Sequence, residues 1–92
     1  MELQDLRKEI DRIDDSLIQL FEQRMTVSVE IARYKQQHGL PVYDPVREQQ
    51  KLNDVSQRVK EENKVHISAF FSQLFEISRA EQKRIINSGE DS

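Results

Sequence analysis

The sequence predicts an all-α protein with three helices per chain. Along the first third of the chain, apolar residues recur at alternating steps of three and four, the spacing of an amphipathic helix. Glycine and proline occur only twice each in 92 residues, so few positions would interrupt a helix. The length allows one domain, which we expect to occupy residues 1–92.

The first helix carries a continuous apolar seam with heptad spacing. Its positions run from the chain start: Leu3, Leu6, Ile10, Ile13, Leu17, Leu20, Arg24, Val27, Ile31 and Tyr34. No glycine or proline interrupts the seam before Gly39 and Pro41, which together indicate a helix stop and a turn. We expect this helix at about residues 3–37.

The length of this helix predicts a homodimer. About 35 residues at 1.5 Å each span roughly 52 Å, whereas a compact domain of this size is roughly 30 Å across. The helix would therefore project by about 20 Å with its apolar stripe exposed. The chain has no cysteine, so disulfides cannot supply stability. We therefore expect a second copy of the chain to cover this apolar stripe.

Two shorter helices follow. Asp44 is a favoured N-cap and Pro45 a favoured first residue, so we expect the second helix at about residues 45–62. Its weaker apolar stripe consists of Val46, Leu52, Val55 and Val59. The third helix is expected at about residues 65–86, before a polar, disordered tail at 87–92. Its predicted inward residues are Ile67, Phe70, Phe71, Leu74, Phe75, Ile77 and Ile85.

Charge and composition argue against several partners. A net charge of −3 disfavours nucleic acid and anionic membranes. No signal-peptide pattern opens the chain and no apolar run approaches the ~18 residues of a spanning helix, so we expect a soluble, cytoplasmic protein. Without cysteines, and with His38 and His66 far apart in sequence, no metal site is expected.

Arg24 is the one charged residue among the ten seam positions. A buried guanidinium is too costly to keep without an anionic partner, and the seam neighbours three and four residues away are Leu20, Phe21, Val27 and Ser28. A bound anion is one candidate partner; the alternative is an arginine that is exposed or snorkels past the seam. Lys35 lies about 20° around the same face and roughly 16 Å away, leaving space for a small anion.

Polar residues also interrupt the other two helices. Ser78 and Gln82 continue the apolar stripe of the third helix at a step of four. Each alone has an ordinary explanation, a back-bonded serine or a surface glutamine. Asp44 is explained by capping alone, while Arg47 and Glu48 lie one turn inside the second helix, where surface charge is ordinary. Arg47 in a first turn is slightly against the dipole preference.

Taken together, these positions resemble the all-helical (type II) chorismate mutases. The similarity begins at Leu6-Arg7 and covers about residues 3–85, and its most diagnostic stretch is Pro41–Glu48. Its polar positions are Arg7, Arg24, Lys35, Asp44, Arg47, Glu48, Ser78 and Gln82. The resemblance implies an entwined dimer and a cofactor-free conversion of chorismate to prephenate, on the route to phenylalanine and tyrosine.

The resemblance also implies roles for the cationic and amide residues. Arg7 and Arg24 would clamp the substrate carboxylates, and Lys35 and Gln82 would donate to the ether oxygen. Arg7 lies about 25 Å from Arg24 along the helix, too far to share its pocket. If two first helices pair antiparallel about a centre near Ile18, Arg7 of one chain falls beside residues 28–30 of the other. Each of two equivalent pockets would then receive one Arg7 from the partner chain.

The remaining residues would complete the site. By the same resemblance, Glu48, with help near Asp44, would take the ring hydroxyl, while Ser78 and Arg47 would add contacts and orientation. Lys51 departs from the family, because relatives commonly place an apolar residue there. It either points to solvent or adds charge to the pocket rim.

Three other functions remain open from the sequence. An isochorismate pyruvate-lyase shares this fold and clamps a similar dianion, although Arg47-Glu48 after Asp44-Pro45 favours the mutase. A mutase-like regulatory domain would bind aromatic-pathway metabolites without catalysis. A plain coiled-coil adaptor would leave Arg24 unexplained.

Overall fold

A computed structural model describes residues 2–88, which form an all-helical chain without strands in that range. The long helix α1 spans Leu3–His38, and α2 spans Pro45–Ser56. A short 3₁₀ helix at Glu61–Asn63 leads into α3, Lys64–Ser88. The predicted fold class is confirmed for the single chain.

The termini of α1 follow from local sequence signals. The carboxylate of Asp5 accepts from the backbone N–H of Glu2 at 3.4 Å, which satisfies one donor before the first turn. At the other end Gly39 has a φ of +65°, and the N–H of Leu40 returns to the carbonyl of Lys35 at 2.8 Å. A glycine adopts this left-handed conformation without strain, so the helix stops where the sequence predicted.

The C-terminal end of α2 differs from the prediction. Asp44 caps the helix as expected, because its Oδ1 accepts from the N–H of Arg47 at 3.0 Å. The expected extent of residues 45–62 was wrong, since α2 ends at Ser56 and the chain turns before the 3₁₀ helix. A further six residues of helix would carry the chain about 9 Å onward, whereas the turn lets α3 fold back onto α2.

α3 packs against both other helices and forms the small core with them. The buried apolar residues are Ala32, Val55, Phe75 and Ile85, and the buried polar residues are Ser28, Ser78 and Gln82. Asn87 and Ser88 continue the helix, so the polar tail does not begin at residue 87. The rest of the expected tail, residues 89–92, lies outside the described residues. Within residues 2–88, every helix is too short or too polar to cross a bilayer.

The N-terminal half of α1 is uncovered in the single chain. Residues 2–23 are all exposed, and Arg24 is the first half-buried residue of the helix. Six seam residues keep between 44% and 60% of their surface exposed: Leu3, Leu6, Ile10, Ile13, Leu17 and Leu20. The described chain is 53 Å long, with a radius of gyration of 16.5 Å. A compact chain of this length would have a radius of gyration of about 12 Å, so α1 projects as its length predicted.

Candidate active site

A pocket of about 570 Å³ lies between the second half of α1, the start of α2 and α3. Seven of the eight residues singled out from the sequence line it: Arg24, Lys35, Asp44, Arg47, Glu48, Ser78 and Gln82. These residues come from all three helices and from positions up to 58 apart, so the fold brings together what the sequence separates. Arg7 is the exception, being exposed on the projecting half of α1.

Arg24 is half-buried and lines this pocket. Its Nη1 donates to the hydroxyl of Ser78 at 2.5 Å, and no carboxylate among residues 2–88 forms an ion pair with it. Desolvation by burial lowers the pKa of its guanidinium, because the charged form loses water without gaining a counter-charge. An arginine keeps its proton regardless, so a cation without a counter-ion faces the pocket.

Lys35 adds a second cation to the lining of the pocket. Its Nζ donates to the backbone carbonyl of Val42 at 2.8 Å, which joins the end of α1 to the loop before α2. An ammonium carries three hydrogens, so this bond leaves donors for a bound molecule.

Gln82 is buried in the wall formed by α1 and α3. Its Nε2 donates to the hydroxyl of Ser28 at 3.0 Å, and both residues are at most 6% exposed. The amide nitrogen has two hydrogens, so Ser28 orients Gln82 while one hydrogen remains for a ligand. Ser28 was not predicted as a site residue. The sequence feature that could have identified it is its position one turn after Arg24, on the same face of α1.

Glu48 has a partner that the sequence reading missed. Arg79 lines the same pocket, and its Nη1 donates to both carboxylate oxygens of Glu48. The Arg79 guanidinium also lies 4.9 Å from the ring centroid of Tyr43, in the loop before α2. This hydrogen bond to Glu48 is the main cause that raises the pKa of Arg79. Helical spacing could have identified Arg79 as a pocket residue, because it lies three residues before Gln82 and therefore near the same face of the helix.

The pocket is cationic in a chain whose net charge is −3. Its charged lining consists of Arg24, Lys35, Arg47, Lys51 and Arg79 against Asp44 and Glu48, a net charge of +3. Lys51 therefore lies at the pocket rather than only in solvent, with its Nζ 3.9 Å from Asp54. A concave site with this excess of positive charge favours a small anion with more than one negative group.

An apolar groove of about 500 Å³ adjoins this pocket on the projecting side. It is lined by Leu17, Ile18, Leu20, Phe21, Arg24, Phe70, Phe71, Gln73, Leu74 and Ile77. Arg24 lines both spaces, so the polar pocket and the uncovered apolar surface meet at this residue. Phe70, expected to face inward, is 48% exposed in the single chain and forms part of this groove.

Comparison with known families gives one match that covers most of the chain. A profile of the family described as chorismate mutase type II matches residues 6–83. All eight residues singled out above fall inside this range.

Individual relatives carry related names. The chain is 32% identical over 87 residues to the chorismate mutase of Methanocaldococcus jannaschii, covering 91% of this chain and 87% of that protein. It is 52% identical over 46 residues to the T-protein of Haemophilus influenzae, covering 50% of this chain and 12% of that protein. The 4-amino-4-deoxychorismate mutase of Streptomyces venezuelae is 46% identical over 46 residues, covering 50% of this chain and 45% of that protein. No solved structure matches the chain significantly.

Proposed function

The chain belongs to the type II chorismate mutase family, and we propose that it rearranges chorismate to prephenate as an entwined homodimer. The family match and the relatives named chorismate mutase support this activity. The observation that carries the proposal is Arg24, a half-buried cation that faces a net cationic pocket without a counter-ion from the described chain. A substrate with two carboxylates would supply the missing negative charge.

The proposed mechanism needs no nucleophile or general base, because the rearrangement is unimolecular. The protein has to hold a flexible dianion in its reactive shape and stabilise negative charge on the ether oxygen as that bond breaks. Arg24 would clamp one carboxylate, with its fork oriented by Ser78. Lys35 and Gln82 would donate to the ether oxygen. Each would use a hydrogen that is not bonded to its protein acceptor, Val42 or Ser28.

The start of α2 would hold the ring side of the substrate. Glu48 would accept from the ring hydroxyl, since a carboxylate oxygen has lone pairs beyond the one used by Arg79. Asp44 caps α2 and would support the same side of the pocket, while Arg47 adds positive charge at its exposed edge. Ser78 would contact the substrate beside Arg24.

The homodimer is proposed from the uncovered seam of α1. A second copy whose α1 runs antiparallel would cover the exposed apolar stripe and the groove beside Arg24. With pairing centred near Ile18, Arg7 of the partner subunit would lie beside residues 28–30 of this chain. It would bring a second guanidinium to the pocket, so each site would need both chains. The cytoplasmic location expected from the sequence stays a prediction.

Product analysis tests the proposed activity against its alternatives. The purified chain is incubated separately with chorismate and isochorismate, and prephenate and pyruvate are quantified by chromatography. We expect prephenate from chorismate. Pyruvate from isochorismate without prephenate formation would establish the lyase instead, and binding of chorismate without turnover would favour a regulatory domain. No binding at all would leave only the coiled-coil adaptor. Mass measurement in solution on the same sample tests the dimer.

A further inference from the structure

Arg79 is a pocket cation to which the proposed mechanism gives no role of its own. We propose that Arg79 is a positioning residue that sets substrate specificity. It orients Glu48 and offsets its charge, so that the pocket prefers a neutral hydroxyl to an ammonium at the ring position that Glu48 faces. This inference rests on the proposed function and assigns the choice among chorismate-like substrates to the pair formed by Arg79 and Glu48.

The geometry ties Arg79 to Glu48 from across the fold. The two residues are 31 positions apart, yet one guanidinium nitrogen donates to both carboxylate oxygens. Their side chains are only 26% and 21% exposed, so the pair is partly shielded from water. The same guanidinium lies over the ring of Tyr43, which restrains Arg79 from the loop side. Glu48 is thereby held in one orientation before any substrate binds.

The charge of the pair determines which ring substituent is favoured. An isolated carboxylate in a half-buried pocket would attract an ammonium strongly. A carboxylate already paired with a guanidinium has no net charge to offer, although it keeps lone pairs for a hydroxyl donor. A 4-amino-4-deoxy substrate, which places a basic amine where chorismate has its hydroxyl, would therefore gain little from this Glu48.

Within the described residues, the side chains of Arg24, Lys35 and Lys51 have partners other than Glu48. Lys51 lies one turn beyond Glu48 and is the natural comparison, because its ammonium is 3.9 Å from Asp54. Removing Lys51 or Arg79 takes one positive charge from the same pocket. Only the loss of Arg79 also releases Glu48.

The experiment measures kcat/KM for chorismate and for 4-amino-4-deoxychorismate in the full chain and in Arg79→Ala. We expect the preference for chorismate over the amino substrate to fall on the order of tenfold in this variant, the effect of freeing one partly shielded ion-pair partner. In Lys51→Ala both values should fall together, with the preference changed by less than about twofold. Alanine is a good helix former, so the partly exposed position 79 should tolerate it, and circular dichroism checks the fold.

A second set of variants tests whether Arg79 acts through Glu48. In a Glu48→Gln background, adding Arg79→Ala should leave the preference unchanged, because the carboxylate that it offsets is gone. Arg79→Lys keeps the charge and should restore most of the original preference. An unchanged preference in Arg79→Ala, or an equal shift in Lys51→Ala, would overturn the inference while the mutase activity stands. If the unaltered chain converts neither substrate, the proposed function fails and this inference fails with it.

Discussion

Replacing Arg24 with leucine separates catalysis from stability. Leucine restores the apolar pattern of the α1 seam and removes a cation that burial disfavours, as the lowered pKa of Arg24 indicates. It also removes the donor to Ser78, whose residue is 8% exposed. The same change therefore takes away the proposed carboxylate clamp while leaving a side chain that packs well in the groove beside it.

The expected magnitudes follow from these contacts. Two charge-assisted hydrogen bonds to a carboxylate contribute roughly 3–5 kcal/mol, so kcat/KM should fall by about 10²–10⁴-fold. Replacing a half-buried, unpaired charge by an apolar side chain removes a desolvation cost, whereas the lost partner of Ser78 costs about 1 kcal/mol. The free energy of unfolding should thus stay the same or rise slightly.

Initial rates and denaturant unfolding of the same samples measure both quantities. The kcat/KM of Arg24→Lys, which keeps the charge but lacks the planar fork, should lie between the values of the unaltered chain and of Arg24→Leu. Arg58→Leu is a matched control, because Arg58 is an exposed arginine that does not line the pocket, and its activity should be unchanged. Activity within about threefold of the unaltered chain in Arg24→Leu would refute the clamp. A parallel loss of activity and stability would refute the separation of the two.

Three further predictions concern the donors and the seam. Gln82→Glu should be active chiefly at acidic pH, because only the protonated acid donates; a flat pH–rate profile would contradict this. Lys35→Ala should lose on the order of 10²–10³ in kcat, the cost of one donor to a developing oxyanion, and unchanged turnover would remove Lys35 from that role. Ile13→Glu, which puts a charge on the exposed seam, should halve the mass in solution and abolish turnover as Arg7 of the partner subunit is lost. A fully active monomer would rule out the shared site.

The sequence predicted those elements whose signals are local. The start of α2 and the end of α1 depend on residues that act within a turn, namely Asp44, Pro45 and Gly39. The end of α2 depends on where α3 must lie, and no glycine or proline marks residues 57–60. An apolar pattern that ran on to Val59 therefore predicted more helix than the packing allows.

The same distinction explains the candidate site. Arg24 was recognisable because it breaks a regular seam. The other residues of its pocket were then predicted from the family resemblance and from spacing along single helices. Arg79 breaks no pattern, since a charged residue on the outer part of a helix is ordinary. Its importance depends on a pairing with Glu48 across 31 residues. Only the packing of α2 against α3 reveals that pairing.

The position of Arg24 links substrate binding to assembly. Along α1, Arg24 is the first half-buried residue, and every described residue before it is exposed in the single chain. In the proposed dimer, the pocket therefore lies where packing within one chain gives way to packing between chains.

A ligand that needs guanidinium groups from both sides binds only the assembled form, and such binding stabilises that form in proportion to RT ln(1 + [L]/Kd). Chorismate, or a stable dianionic analogue, should therefore strengthen the dimer, and it should lose this effect when Arg7 is removed. The long helix thus accounts for both properties, because the surface that a single chain cannot cover is the one that completes its site.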